Sequence, residues 1–170
     1  MKKELKEKLF KIKMLILDVD GVLTDGSIVY SASGEEIKTF NVHDGYGIEI
    51  LKQHGIPVGI ITGRTSAIVE RRALDLKIED LVQGTIDKVP VAENFAKKYN
   101  ITLEEIVFIG DDLFDIPLLQ KVGFSAAPKN ARKEVKRIVD YVTKKEGGKG
   151  AVREVIDMIL EAKKLKNELS

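Results

Sequence analysis

The sequence predicts an α/β fold, a parallel sheet with helices on both faces, and two observations carry that expectation. Short runs made almost wholly of apolar residues recur along the chain, as strands buried on both faces of a parallel sheet require. Between them lie segments with apolar residues at helical spacing, long enough to cross back over the sheet.

In the first run, from Met14, Leu15-Ile-Leu17 reads as a buried strand that stops abruptly at Asp18 and Asp20. Gly26 to Asn41 then breaks the rhythm. Gly26-Ser-Ile-Val-Tyr30 and Glu35 to Asn41 flank Ser31-Ala-Ser-Gly34, a β-hairpin with a glycine-containing turn. Its base is expected to stand over the two acids, and a hairpin this small needs a surface to pack on. Gly45 to His54 has a helical pattern, followed by a strand over Pro57 to Thr62 and a helix over Ser66 to Leu76. Leu81-Val-Gln83 is a weaker, edge-ward strand, and Val89 to Tyr99 is helical. Thr102 and Glu105 form a capping box that only a short turn can follow. Ile106 to Gly110 and Gly123 to Ala127 are strands bounded by glycine, separated by a helical pattern over Leu113 to Val122. Ala131 to Ile138 is a further helix and Tyr141-Val142 a second edge strand. A flexible Glu146-Gly-Gly-Lys-Gly150 precedes an amphipathic helix over Val152 to Leu165. No repeat or linker divides the chain, so 1–170 is read as one domain, with 26–41 a hairpin insertion and 146–170 a C-terminal arm or helix.

Composition narrows the class. With 44% apolar and 32% charged residues in 170, the chain can build one core and shows no disorder signature. A net charge of +1 argues against nucleic acid or an anionic membrane as the main partner. No apolar run approaches the roughly 20 residues of a membrane span. The charged Met1-Lys-Lys-Glu-Leu-Lys-Glu-Lys opening lacks the apolar region of a signal peptide, which leaves the cytoplasm as the expected location. The absence of cysteine excludes disulfides, thiol catalysis and zinc–thiolate sites.

Four segments place polar residues at the ends of expected strands: Asp18/Asp20, Thr62-Gly-Arg64, Gly84 to Lys88, and Gly110-Asp-Asp-Leu-Phe-Asp115. In a parallel sheet those ends share one edge, so residues remote in sequence converge. Two acids at such an edge repel each other and need a positive partner, which a divalent cation handling a phosphate ester would supply. Asp18 can attack as nucleophile, and Asp20 can move the proton to and from the leaving alcohol and water. Asp111 with Asp18 can hold a hard cation such as Mg²⁺. The Thr62 hydroxyl can donate to a phosphate oxygen, and Lys88 can balance charge beside the carboxylates. Each element also has an ordinary reading. Asp-x-Asp-Gly forms turns, Thr62-Gly63 can cap a helix, Lys88 can be a solvated helix-start lysine, and Asp111-Asp112 can favour a helix N-terminus. The conjunction, in order and each time after an apolar strand, distinguishes the chain. Neither an EF-hand nor a phosphate loop fits: Val22 and Leu23 occupy positions where an EF-hand needs a ligand and a glycine, and Gly147-Gly-Lys-Gly150 has the wrong spacing.

ILDVDGVLTDG (16–26), IITGR (60–64), Lys88 and IGDDLFD (109–115) resemble the four motifs of the haloacid dehalogenase superfamily of aspartate-nucleophile phosphatases. With FNVHDGYGI (40–48), VERR (69–72), AAPKNA (126–131) and YVTKKEGGKGAVRE (141–154), the chain is similar to one subfamily, the 3-deoxy-D-manno-octulosonate 8-phosphate phosphatases. The likeness runs from about Met14 to about Leu160; Lys77 replaces a frequent helix-ending glycine, and Arg71 adds a second arginine beside Arg72. It implies a Rossmann-like, haloacid dehalogenase-like domain without a cap, and hydrolysis of 3-deoxy-D-manno-octulosonate 8-phosphate in lipopolysaccharide precursor synthesis. It further implies catalytic Asp18, Asp20, Thr62 and Lys88, and Mg²⁺ held by Asp18, Asp20 and Asp111.

The implied substrate is a sugar acid with phosphate at one end and carboxylate at the other. Asp20, Asn41, Val42, His43, Asp44, Gly45, Gly63, Arg64, Arg72 and Lys88 are the expected contacts. Arg64 and Arg72 suit a carboxylate or polyol because guanidinium donates a planar fork, although each can equally pair with Glu70 or Asp75 at the surface. His43 is as easily a structural partner, and His54 has no expected role. The resemblance implies a homotetramer joined through the hairpins, with the glycine stretch as hinge of an arm reaching the site. A nonulosonate 9-phosphate phosphatase and a non-catalytic oligomerisation domain are the alternatives. The second predicts decay of Asp18, Asp20, Thr62, Lys88 or Asp111, all of which are present. A phosphomutase would need a large cap.

Overall fold

The computed structural model describes residues 2–165. The chain opens with α1 (Lys3–Lys11), which buries Leu9 and leaves its charged face outside. Then come β1 (Met14–Leu17), the hairpin strands β2 (Val29–Tyr30) and β3 (Glu36–Ile37), and α2 (Val42–Gln53). Strand and helix alternate thereafter through β4 (Val58–Ile61), α3 (Ala67–Asp75), β5 (Asp80–Val82) and α4 (Lys88–Lys98). The second half adds β6 (Ile106–Ile109), α5 (Ile116–Leu119), β7 (Phe124–Ala127), α6 (Lys133–Lys136), β8 (Tyr141–Val142) and α7 (Ala151–Lys163).

Six strands make one parallel sheet in the order β5-β4-β1-β6-β7-β8, so the two weak strands stand at the edges as expected. β1 is central, with Leu15 opposite Val58 on one side and Val107 on the other. Its residues alternate between two cores. Leu15 and Leu17 join Leu9, Ile48, Val69 and Ile156 beneath α1, α2, α3 and α7, whereas Met14 and Ile16 join Ala92, Phe95, Leu118 and Val135 beneath α4, α5 and α6. Helices therefore cover both faces, and the apolar runs are explained by double burial. The chain winds outward from β1 first to β4 and β5, then to β6, β7 and β8. This reversal opens a crevice at the C-terminal ends of the central strands. No described helix is long and apolar enough to cross a membrane.

Several boundaries differ from the sequence pattern for local reasons. α2 begins at Val42 instead of Gly45 because the Asn41 side chain accepts from the His43 and Asp44 amides and caps it earlier. The segment expected to be helical over Leu113 to Val122 is a 3₁₀ turn at Leu113–Asp115 plus the single turn of α5. Its first residues are drawn back by Asp115, which accepts from the amides of Asp111 and Asp112. α6 is likewise one turn, and the Arg132 amide just before it donates to the Asp111 carbonyl. The glycine stretch before α7 is not a loose hinge. Gly147 and Gly148 are buried, and the Gly148 amide donates to Val22 O at 3.0 Å. A Cβ on Gly147 would lie 1.8 Å from the Gly21 carbonyl oxygen, so only glycine fits there. The chain from 151 to 163 is thus a core helix and not a detached arm; positions 166–170 of the expected arm lie outside the described residues.

Candidate active site

Asp18 continues the edge of β1, its amide donating to Ile109 O at 3.1 Å, and the chain then turns sharply. Val19 O accepts from the amides of Val22, Leu23 and Thr24, while Val19 and Val22 are buried and pin the turn to the core. Gly21 permits this path: its φ is +92°, and a Cβ there would meet Asp111 Oδ2 at 2.1 Å. The turn therefore carries Asp18 and Asp20 directly against the loop that follows β6.

The strand ends meet around one cavity of about 350 Å³, whose wall includes Asp18, Asp20, Thr62, Gly63, Arg64, Asp111, Ile86 and Phe114. Lys88, the first residue of α4, projects beneath it with 1% exposure. Its ammonium lies 3.0 Å from Asp18 Oδ1 and 2.6 Å from Asp115 Oδ1, with the Phe114 ring centroid 4.9 Å away. A lysine so placed is the opposite of a solvated helix-start residue, since burial of an ammonium is tolerated only beside compensating charge. One carboxylate oxygen each from Asp18, Asp111 and Asp115 can be chosen so that all lie within 4.8 Å of one another.

Three carboxylates against one ammonium leave the cluster short of positive charge. Burial pushes the Asp18 carboxyl up to about 6 against the pull of Lys88. Burial, then the charges of Asp18, Asp115 and Asp112, push Asp111 up to about 8. Asp111 Oδ1 is buried and accepts no hydrogen bond among the described residues. An all-oxygen donor set with an orphaned carboxylate oxygen and unbalanced negative charge fits a hard divalent cation.

Asp20 belongs to a second network. Its Oδ1 lies 2.5 Å from Lys38 Nζ and its Oδ2 3.5 Å from Arg64 Nε. The Asp20 carboxylate thus faces cations, and the side chain gathered with those of Asp18 and Asp111 is that of Asp115. Arg64 also reaches Glu36 Oε1 at 2.6 Å, and Ser66 donates to Glu36 Oε2 at 2.6 Å. The hairpin's return strand is thereby fastened over the site. Arg64 precedes α3 and pairs with Glu36 and Asp20; Arg72, on α3, lies over the Phe40 ring with its guanidinium carbon 5.5 Å from the centroid.

The Asn41–Gly45 group stands apart from the cavity wall. Asn41 caps α2, and Val42 and His43 are exposed, with His43 lining a different groove beside Lys144 and Arg153. Asp44 is buried and accepts from the Gly150 and Arg153 amides at 3.3 and 2.7 Å, capping α7. Burial raises its carboxyl in spite of those donors. Gly45 faces Arg72, whose Nη2 would lie 2.3 Å from a Cβ there. The sequence reading missed Asp115 and Lys38. Asp115 carried a signal, an acid five residues after Gly110 in an acidic strand-end motif. Lys38 carried none, because its depth comes from the hairpin's docking.

A family profile described as haloacid dehalogenase-like hydrolase matches residues 76–156. The 3-deoxy-D-manno-octulosonate 8-phosphate phosphatase of Escherichia coli K12 is 47% identical over 151 residues, covering 89% of this chain and 80% of that protein. A crystal structure of the phosphatase of the same name from Moraxella catarrhalis, in complex with magnesium ion, phosphate ion and a KDO molecule, superposes with a TM-score of 0.93. It is 43% identical and covers 96% of this chain and 94% of its own. A cobalt-bound Haemophilus influenzae deoxy-D-mannose-octulosonate 8-phosphate phosphatase superposes with a TM-score of 0.89 at 44% identity, covering 92% of each chain. The chain belongs to the 3-deoxy-D-manno-octulosonate 8-phosphate phosphatase family of haloacid dehalogenase-like hydrolases.

Proposed function

We propose that this chain is a Mg²⁺-dependent phosphoric monoester hydrolase that converts 3-deoxy-D-manno-octulosonate 8-phosphate to the free sugar acid and phosphate. It would act in the cytoplasm, in lipopolysaccharide precursor synthesis. The observation that carries the reading is the buried Lys88 ammonium between Asp18 and Asp115, at the floor of a cavity that also presents Asp20, Thr62 and Asp111. A purely structural domain has no use for that arrangement. The magnesium-bound relative supports the cation, and the names of the relatives support the substrate.

Asp18 and Asp111, with Asp20 at the same edge and Asp115 held beside them by Lys88, would hold the cation, which when bound neutralises charge on the phosphoryl oxygens. An Asp18 carboxylate oxygen attacks phosphorus, and the bond to the sugar's C8 oxygen breaks, giving an aspartyl-phosphate. Asp20 donates the proton that the departing oxygen needs, then takes one from the water that attacks the phosphoenzyme and regenerates Asp18. Thr62 donates its hydroxyl to a phosphoryl oxygen, with the Gly63 backbone beside it. Lys88 keeps Asp18 ionised and aimed. Arg64, on the cavity wall, meets the substrate carboxylate by exchanging its pairing with Glu36. Arg72 and Asn41 to Gly45 hold the start of α2 and the hairpin's exit.

The same reading makes the protein a homotetramer. Ile28, Val29, Tyr30 and Ile37 are exposed on a hairpin whose strands are two residues each, an apolar surface that a neighbouring copy would cover. Phosphate release is to be measured across sugar-acid phosphates, with Mg²⁺ and with chelator. The octulosonate 8-phosphate should be turned over faster than a nonulosonate 9-phosphate, and only with metal. Equal turnover in chelator would refute the cation assignment, and a preference for the nonulosonate would replace the substrate.

A further inference from the structure

Among the acidic and basic groups near the cavity, Lys38 is a buried one whose placement the hydrolysis steps leave unexplained. It comes from the hairpin, an element of two-residue strands with an exposed apolar face, yet its side chain is 1% exposed. Its ammonium lies 2.5 Å from Asp20 Oδ1 and 3.5 Å from Glu36 Oε1. Glu36 in turn binds Arg64 and Ser66, both from the segment between β4 and α3. Two carboxylates and two cations thus close a neutral network across three segments: the turn after β1, the hairpin's return strand and the loop after β4. A buried ammonium is retained only where it is fully compensated, and here its nearest compensation is the carboxylate assigned to proton transfer. At 1% exposure Lys38 has no surface to offer a substrate.

We propose that Lys38 is a positioning residue for Asp20: by holding Oδ1 it fixes the carboxylate so that Oδ2 stays on the cavity wall, within reach of the leaving oxygen. The hairpin is then part of the proton-transfer apparatus as well as a contact surface, because undocking it withdraws Lys38 and frees the Asp20 rotamer. The inference rests on Asp20 being the acid/base of the phosphatase proposed above.

The test reads leaving-group dependence. An alkyl phosphate such as 3-deoxy-D-manno-octulosonate 8-phosphate needs a proton delivered as the C8 oxygen departs. p-Nitrophenyl phosphate expels a stable phenolate and does not. For each, kcat/KM reports the steps up to departure of the leaving group. Lys38→Met should lower kcat/KM for the sugar phosphate by about 10- to 100-fold, part of the roughly 10²- to 10⁴-fold that a positioned proton donor contributes. It should change p-nitrophenyl phosphate less than about threefold. The ratio between substrates in one preparation does not depend on the fraction folded, so partial misfolding cannot imitate the result. Lys38→Gln, which keeps a neutral donor, should shift the ratio in the same direction by less, and Lys38→Arg should restore most of it. Equal loss on both substrates, or an unchanged ratio in both neutral variants, overturns the role of Lys38 while leaving the phosphatase reading standing. Wild-type protein that releases no phosphate from either substrate with Mg²⁺ overturns that reading and this inference with it.

Discussion

Lys88 and the acids around it make exacting demands, since four ionisable groups crowd the floor of one cavity. Lys88→Met leaves Asp18 and Asp115 without their cation. Breaking a buried ion pair from one side is expected to destabilise by about 3–5 kcal/mol, measurable as a fall in the denaturation midpoint at unchanged m-value. Asp111 gives a prediction with a sign. Its carboxyl is raised to about 8, far above its ordinary value of 3.8, so without metal the folded state prefers the protonated form. That contribution is whole below about pH 4, declines as pH rises, and is gone above about pH 8. Asp111→Asn removes the dependence. In chelator the variant should therefore gain stability relative to wild type on going from pH 5 to pH 8, and in Mg²⁺ it should lose the metal's stabilisation. Melting curves at the two pH values check both; a variant no more favoured at pH 8 than at pH 5 in chelator would contradict the burial account. Asp18, Thr62 and Asp111 were legible in the sequence because each stands one or two residues past an apolar run whose end fixes its place, whereas Lys88 lies six residues beyond β5 and was marked by its order among the four segments. Asp115 was marked only by its place in an acidic strand-end motif, and Lys38 by nothing, since its partner depends on how the hairpin folds back, which no periodicity records.

At the scale of elements, short connections decide where the site's groups lie. The turn at Gly147–Gly148 is buttressed against the loop that carries Asp20 and Gly21. Gly147→Ala should displace that loop or the turn, destabilising by about 1–3 kcal/mol as overpacking does. It should also lower kcat, although residue 147 touches none of the catalytic groups. A folded variant with wild-type kcat would show that the loop does not need this support. Lys77 has φ +52°, a left-handed conformation in which a side chain costs about 1 kcal/mol or more. Lys77→Gly should raise the melting temperature modestly without changing turnover, because relief of that strain exceeds the added freedom of the unfolded chain. The strands of the parallel sheet were readable to within a residue from apolar runs and glycine bounds, whereas the hairpin strands Val29–Tyr30 and Glu36–Ile37 are shorter than their pattern. Helix ends were less so: Asn41 started α2 early by capping, and Asp115 drew the start of the segment after β6 into a 3₁₀ turn by binding elsewhere.

For the whole molecule, the fold brings four strand ends to one edge and then closes them with a hairpin instead of a cap. Sequence alternation was enough to predict the parallel sheet and the shared edge, but the glycine-rich stretch before α7 looked flexible because burial by a distant loop leaves no local mark. If the chain assembles as proposed, Tyr30→Glu combined with Ile37→Glu should produce a smaller species than wild type by sedimentation with an unchanged far-UV spectrum; an undiminished mass would exclude the exposed hairpin face from the interface. The central claim is that Asp18 is phosphorylated during turnover. Rapid acid quench of the enzyme with Mg²⁺ and 3-deoxy-D-manno-octulosonate 8-phosphate, followed by peptide mass spectrometry, tests it most directly. The account predicts one phosphoryl group on the peptide bearing Asp18, absent in Asp18→Asn, which folds but does not turn over. A phosphoryl group on another residue, or undiminished turnover in Asp18→Asn, would contradict it.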